Sequence, residues 1–507
     1  MNIYLIKASA PGPFKEYKKN TGGPPQNIFS VAAVTPAAVT VDMCDETIGM
    51  KPKMRTDAEV VALFFHTPDA IHAYALADKY RAKGKTVVLG GLHTTFMPDE
   101  AAEHADALLI GEAEGIWEQL LDDFQVGRLQ KRYERDEPVD MAELNPYPTD
   151  IIPPSKYDGL WSVVVSRGCP HKCEYCTVPR FFNGKYRLRP VNHIVAEIKA
   201  APTDWFELHA DNLTANKKYA LELFKALKPL DINWFGEATI KMADDAELLK
   251  AAAESGCREL LIGIETPSQV ALDESGKGFV SPDQVKEKIG RFHEVGIQIS
   301  SSMIFGFDTH TKDIFAESEE FSRFIELDEV EGVLLIPFPG TPLYKNLKDE
   351  GRILTNDWSK YDGDNVVFTP KSMSVQELEE GSYWFWEKIQ KNPKLRVTSS
   401  SSTSDNREYD SNSDKSKTPN CSIAATNSWL SRVKWKALTG LGLITLGLIM
   451  EWNWIWGIFF LFWAIGDIRS RKTHLLEEVT RSDTPLLYWI IITMWLIFAV
   501  YALLGFT

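Results

Sequence analysis

Short apolar runs alternate with helical stretches from residue 3 to about residue 390, and this rhythm confines the fold more than any other feature. In the N-terminal third the runs are Ile3–Ile6, Val39–Met43, Val60–Phe65, Thr86–Leu89 and Ala107–Ile110, with helical patterns at 69–83, 98–105 and 112–124. In the central half they are Ser162–Val165, Trp205–His209, Ile232–Gly236, Glu259–Ile264, Gln298–Ile304 and Gly332–Pro337, with helical spacing in Lys217–Leu227, Asp245–Glu254 and Pro282–Glu294. Strands of this length separated by helices build parallel sheets. The first series predicts an α/β fold with a doubly wound, Rossmann-like domain over 1–145. The second predicts a partial (β/α)6 barrel over 161–390. Four prolines crowd Asn145–Tyr157, where they resist helix and central strand, so 146–160 read as a linker.

Three cysteines, Cys169, Cys173 and Cys176, fall within eight residues directly after the first run of the second series. Three close thiolates can hold three irons of a four-iron cluster and leave the fourth iron open to a small molecule. The alternative is a structural zinc site, but such sites pair two halves of two ligands each, and only His171 and His193 lie nearby. Both sheet types place their ligands at the carboxyl ends of strands. The polar and glycine residues at those ends are Asp42 to Glu46, Gly90-Gly91 and Gly111-Glu112 in the first series, and Asp211, Asn212, Glu237, Glu265 and Asp308 in the second. For any one of them a turn or a helix cap is the plain alternative. Arg167, Arg180, Arg187 and Arg189 flank the cysteines and could either balance a negative cluster or form ordinary surface salt pairs.

The spacing C-x-x-x-C-x-x-C with an aromatic residue before the last cysteine resembles the signature of the radical S-adenosylmethionine (SAM) superfamily. "HADN" at 209–212 and "GIET" at 263–266 resemble the segments that follow its second and fourth strands. The order "VDMCDETIG", "VVLGG", "LLIGEAE" resembles the cobalamin-binding domain that precedes the radical core in one large subfamily. "PGTPLY" at 339–344 resembles the tail of that subfamily. The resemblance implies that Cys169, Cys173 and Cys176 hold a four-iron four-sulfur (4Fe-4S) cluster and that SAM binds its open iron. It implies that Glu265 contacts the SAM ribose, that Asp211 and Glu237 line the cofactor site, and that Gly90 and Gly91 approach cobalamin. The sequence departs from the pattern after its first strand. Where D-x-H-x-x-G would supply a cobalt-ligating histidine, this chain has Ala8-Ser9-Ala10-Pro11-Gly12-Pro13. His66, His72 and His93 are in the domain, and His93 stands beside the glycines.

A net charge of −15 argues against nucleic acid as a partner. Six cysteines in 507 residues do not make a disulfide framework, which fits a reducing compartment. The N-terminus shows no signal-peptide pattern. Residues 391–431 are rich in Ser, Thr, Asn and Asp and read as a flexible linker. Residues 432–507 turn apolar and predict a membrane domain, a short hairpin over 437–466 followed by a span over 486–506. The expected location is the inner, cytoplasmic membrane, multi-pass, with the catalytic domains in the cytoplasm.

The leading expectation is therefore a membrane-anchored radical SAM enzyme that uses cobalamin to methylate an unactivated carbon. Its substrate would be a lipid-like, isoprenoid or other small molecule, and its electron donor a flavodoxin or ferredoxin. An oxidative cyclase or other hydrogen-abstraction enzyme is the nearest alternative, and a non-catalytic membrane-bound redox sensor or scaffold is one of another class. A methylthiotransferase would need three cysteines in the first domain, which has only Cys44.

Overall fold

The computed structural model describes residues 1–10, 22–135, 137–392, 396–397, 472–474, 478–480, 489 and 491–493. The chain divides into two compact units, Met1–Arg407 and Glu408–Thr507.

Two parallel sheets share the first unit. One is built from β1 (Asn2–Lys7), β2 (Thr40–Asp45), β3 (Val60–Phe64), β4 (Thr86–Gly90), β5 (Ala107–Ile110) and β6 (Arg132–Glu134), in the order β2-β1-β3-β4-β5-β6. The order reverses between β1 and β3, which is where doubly wound sheets open a crevice for ligands. The other sheet contains β7 (Leu160–Val164), β10 (Trp205–His209), β11 (Asn233–Ala238), β12 (Cys257–Ile262), β13 (Gln298–Phe305), β14 (Glu329–Leu334) and β15 (Arg396–Val397), paired in that order. Between β7 and β10, the short strands β8 (Ser166–Arg167) and β9 (Arg187–Leu188) form an antiparallel pair.

The two sheets differ in what covers them. Every residue of β3 and β5 in the first sheet is buried, the mark of strands packed on both faces, and in the second sheet, among the described residues, only the edge strand β7 is buried throughout. Along β10 and β11 buried and accessible residues alternate, and β12 does so after the adjacent accessible pair Arg258 and Glu259. One face of these strands is covered by helices, and the other lines an open interior. Helix Lys217–Leu227 shows how the cover forms. Asn216 caps it by accepting from the Tyr219 N–H at 3.1 Å, and Ala220, Leu223, Phe224 and Leu227 put one apolar stripe on the sheet.

The prolines of 146–160 do more than connect. Tyr147, Ile152 and Tyr157 are buried, and the Tyr157 hydroxyl donates to Asp45 Oδ2 at 3.0 Å, tying the segment to the end of β2. Strand β6 has one apolar residue and gave no periodic signal; backbone pairing of Leu108 with Arg132 through Ile110 with Glu134 makes it a strand.

The expected C-terminal membrane domain is corrected. Among the described residues, no helix is long and apolar enough to cross a membrane. The described residues there include two three-residue strands, β16 (Lys472–His474) and β17 (Glu478–Thr480), paired antiparallel. The hairpin expected over 437–466 lies outside the described residues, as does nearly all of the linker expected over 391–431. The multi-pass membrane location rested on these spans and falls with them.

Candidate active site

The three cysteines occupy the loop that leaves β8. Gly168 opens it at φ +89°, a conformation that favours glycine, and a Cβ there would lie 2.0 Å from the Lys185 carbonyl oxygen. The Gly168 N–H donates to Asp211 Oδ2 at 2.7 Å, so the residue expected to line the cofactor site holds the start of the cysteine loop. Further on, Glu174 N–H donates to Ser275 O at 3.0 Å, and Leu343 N–H donates to Glu174 O at 3.2 Å. Cys176 N–H turns back to Cys173 O at 3.2 Å. All three thiols are free. Burial pushes each of them up, Cys176 to about 12. Thiols so placed become thiolates when a metal replaces the proton.

The donor set fits an iron–sulfur cluster. Three unpaired cysteines share one loop whose backbone is fixed at several points. Beside them Asn212, 2% exposed, reaches the Cys169 thiol with its side chain, while its Oδ1 is buried without a hydrogen-bond partner. A single-ion site does not fit. Among the described residues no three His, Cys, Asp or Glu side chains converge closely enough to hold one metal ion.

Glu265 follows β12 at φ +70°, rare for a residue with a Cβ and common at functional sites. Its backbone is held to β13, with Glu265 N–H donating to Ser302 O at 3.2 Å and Ile304 N–H donating to Glu265 O at 2.7 Å. Its carboxylate pairs with Lys277 and accepts from the Tyr175 hydroxyl at 3.2 Å, both at Oε1. Tyr175 is the aromatic residue of the cysteine motif, so the motif and Glu265 meet in one place. Lys277 is buried, and its charge favours the thiolate forms of Cys169 and Cys173. No periodicity marked Lys277; the only hint was the pair of glycines beside it.

Inside the second sheet a titratable chain faces the open interior. Ser162 Oγ donates to Glu207 Oε2 at 2.5 Å, and Glu207 Oε1 stands 3.3 Å from His209 Nδ1. Burial works against a charged His209. The hydrogen bond and charge of Glu207 prevail, with help from Asp211 and Glu237, and raise it to about 9. Burial, with the negative charges of Asp211 and Glu207, raises Glu237 to about 7. Glu237 is nevertheless exposed by area. A side chain both reachable and desolvated lines a concavity. Glu207 was missed as a site, and His209 stood out only within the HADN segment, because alternation on a strand looks the same on a solvated surface and in a lumen.

A second group of titratable side chains lies at the β1–β3 switch of the first sheet, where doubly wound sheets place their ligands. His66 is exposed by area, yet burial and then the charge of Lys7 pull it down to about 4. Lys7 and Asp69 form a buried ion pair at 3.3 Å beside it. His93 is fully buried, with its ring nitrogens 3.2 Å from Thr67 Oγ1 and 3.4 Å from Glu100 Oε1, so both are engaged. His72 pairs with Glu46 at 2.8 Å. His66 is thus the histidine that faces the crevice. Gly90 and Gly91 are required by packing. A Cβ on Gly90 would meet the Phe64 ring at 2.6 Å, and one on Gly91, at φ +98°, the Phe65 carbonyl oxygen at 2.8 Å.

Three of the four flanking arginines are engaged in ion pairs, and Arg180 is partly accessible. Arg167 and Arg187 pair with Glu112 and Glu114, and Arg189 pairs with Glu197, in buried or nearly buried bridges.

Residues 163–322 match the family model described as the radical SAM superfamily. The chain is 31% identical over 362 residues to the bacteriochlorophyllide d C-8(2)-methyltransferase of Chlorobaculum tepidum, covering 66% of this chain and 79% of that one. It is 28% identical over 355 residues to the hopanoid C-2 methylase of Rhodopseudomonas palustris, covering 66% of each. Among solved structures, the radical SAM methyltransferase TsrM from Kitasatospora setae, with cobalamin and a 4Fe-4S cluster bound, superposes with a TM-score of 0.60 at 14% identity. That superposition covers 78% of this chain and 92% of TsrM, a likeness of fold.

Proposed function

This chain belongs to the radical SAM superfamily, in the subfamily that carries a cobalamin-binding-type domain before the radical core, and from that premise we propose that it is a cobalamin-dependent methyltransferase acting on an unactivated carbon of a small molecule. The observation that carries the reading is the meeting of the free cysteine loop, Tyr175, Lys277 and Glu265 at the carboxyl ends of the second sheet's strands. When bound, the cluster and cobalamin supply one-electron cleavage of SAM and methyl transfer. Cys169, Cys173 and Cys176 hold the cluster, and Asp211 and Asn212 fix the loop that presents it. Glu265 is kept aimed by its backbone bonds to β13 and offers a carboxylate oxygen to the ribose. Lys277 neutralises it on the other side. The crevice beside His66 and the carboxyl ends of β3 and β4, where Gly90 and Gly91 lie, takes the cobalamin.

The interior walls indicate the substrate class. Phe235, Leu261 and Ile304 are accessible from the inner face, beside the polar chain of Glu207, His209 and Glu237. A molecule with a broad apolar frame and at least one polar group suits this lining. The relatives named for bacteriochlorophyllide and for a hopanoid act on molecules of that kind. A flavodoxin or ferredoxin would supply the electron. The alternative of hydrogen abstraction without methyl transfer draws support from Glu237, since removing a proton from an oxidised substrate needs a base poised near neutrality.

The test uses full-length protein, reconstituted anaerobically with iron, sulfide and cobalamin. Near-stoichiometric cobalamin, with S-adenosylhomocysteine and 5′-deoxyadenosine both formed from SAM in the presence of a tetrapyrrole or polycyclic lipid extract, is the expected result. An intact cluster that yields 5′-deoxyadenosine while the protein retains no cobalamin would sink methyl transfer and leave the alternative.

A further inference from the structure

We propose that Glu112, Glu114, Arg167 and Arg187 form a positioning clamp that fixes the cysteine loop against the ligand end of the first sheet and so sets the distance between the two cofactors. The inference rests on the methyl-transfer reading above. In that reaction one substrate carbon must lose a hydrogen to a radical born at one sheet and receive a methyl group held at the other. Displacements of about 1 Å in such an arrangement cost orders of magnitude in rate. Some rigid element has to hold the register.

The four side chains meet that need by their place in the chain. Arg167 lies in β8, two residues before Cys169. Arg187 is its cross-strand partner in β9. Glu112 and Glu114 leave the carboxyl end of β5 in the sequence Gly-Glu-Ala-Glu-Gly. Gly111 at φ +75° and Gly115 at φ +82° bend the backbone on either side, so that both carboxylates reach the arginines. Arg167 Nη1 donates to Glu112 Oε1 at 2.7 Å, and its Nη2 donates to Glu114 Oε1 at 2.7 Å and to Ser30 Oγ at 3.3 Å. Arg187 Nη2 donates to the same Glu112 Oε1 at 2.9 Å, and its Nη1 donates to Val139 O at 2.7 Å. Val139 N–H in turn donates to Glu112 Oε2 at 3.3 Å. Arg135 Nη1 closes the set on Glu114 O at 2.7 Å.

The side chains of Arg167, Glu112 and Glu114 are 5%, 9% and 8% exposed, and that of Arg187 is 14% exposed. Among the four clamp side chains two acids balance two bases without any contribution from a cluster. Buried ion pairs of this sort add little stability over apolar packing of equal volume, and their best-attested use is to specify one register. Arg167 does that here by bridging two carboxylates, Nη1 to Glu112 and Nη2 to Glu114, because two bonds from one planar guanidinium fix direction as well as distance.

The experiment compares wild-type protein with Glu112→Gln, and with the double variant Glu112→Met with Arg187→Met. The double change removes one acid and one base together and leaves the Arg167–Glu114 pair intact, which guards against an unpaired buried charge. Full-length proteins are loaded with cluster and cobalamin, and pulsed electron paramagnetic resonance measures the distance distribution between the reduced cluster and cob(II)alamin. Both variants are expected to keep iron and cobalamin contents near wild type and to broaden the distance distribution at least twofold. Distributions as narrow as wild type in both would overturn the clamp. Should wild-type protein take up no cobalamin, methyl transfer fails separately. The clamp is then measured from the reduced cluster to a nitroxide on Lys79→Cys, exposed on the first sheet's helix Ala70–Arg81. A broadened distribution in the variants supports it, and an unchanged one refutes it.

Discussion

Substituting alanine for Gly168 tests whether the cysteine loop is held by backbone geometry. The residue sits at φ +89°, and a Cβ would lie 2.0 Å from the Lys185 carbonyl oxygen, where ordinary contact begins at 3.4 Å. Gly184, on the far arm of the same turn, supplies the control, since it lies at φ +68° with nothing within 4 Å of a Cβ. Gly184→Ala therefore carries the torsional cost alone, about 1–2 kcal/mol for a left-handed residue. Gly168→Ala carries a similar torsional cost plus a backbone collision. Relieving such a collision typically costs about 1–3 kcal/mol more, and here it must pull the Gly168 N–H off Asp211. The expected totals are about 1–2 kcal/mol for Gly184→Ala and about 2–5 kcal/mol for Gly168→Ala. The same movement displaces Cys169. Iron and sulfide per chain after anaerobic reconstitution are the assay, with urea midpoints alongside. Gly184→Ala should bind a full complement of iron, and Gly168→Ala less than half. A Gly168→Ala protein with full iron and the midpoint of Gly184→Ala would refute the argument.

Cys176→Ala should leave the urea midpoint close to wild type while abolishing 5′-deoxyadenosine formation; retention of SAM cleavage would remove that cysteine from the cluster set. Glu237 binds its proton more tightly folded than unfolded, because burial raises it to about 7. Its contribution to stability is therefore full below the ordinary carboxylate range and is lost as pH rises through about 7. Glu237→Gln should accordingly flatten the fall of melting temperature between roughly pH 4.5 and pH 7, and parallel curves for the two proteins would contradict the assignment. Arg189→Leu leaves Glu197 buried at 5% exposure without its partner, now at 2.5 Å, and should cost about 3–5 kcal/mol in urea unfolding. A loss below about 1 kcal/mol, in the range of an exposed pair, would show that Glu197 is solvated.

The strands of both sheets were legible because their apolar runs are bounded by turn residues, and the cysteine loop because three thiols at that spacing have few other uses. Glu265 was legible from its motif, though nothing in the motif announced its positive φ or its bond to Tyr175. What escaped were pairings between distant segments. Glu112 looked like a strand-end residue and Arg167 like a cluster counter-charge, and only the fold reveals that each answers the other. Strand β6 escaped since a sheet edge can recruit a polar segment through its backbone alone. The apolar C-terminal stretches misled for a related reason. Hydropathy measures the dislike of water and does not measure helix length, and among the described residues no helix is long and apolar enough to cross a membrane.

The contrast between the two sheets bears on how such a protein can change over generations. In β3 and β5 every side chain is enclosed, so nearly any exchange there disturbs packing. On the inner faces of β10 to β13, Phe235, Leu261, Ser302 and Ile304 touch accessible space and can be replaced without unfolding the chain. The molecule thus separates a slow-changing frame from a wall free to drift. New substrates can be acquired by altering the wall residues while the cysteine loop and its supports stay untouched.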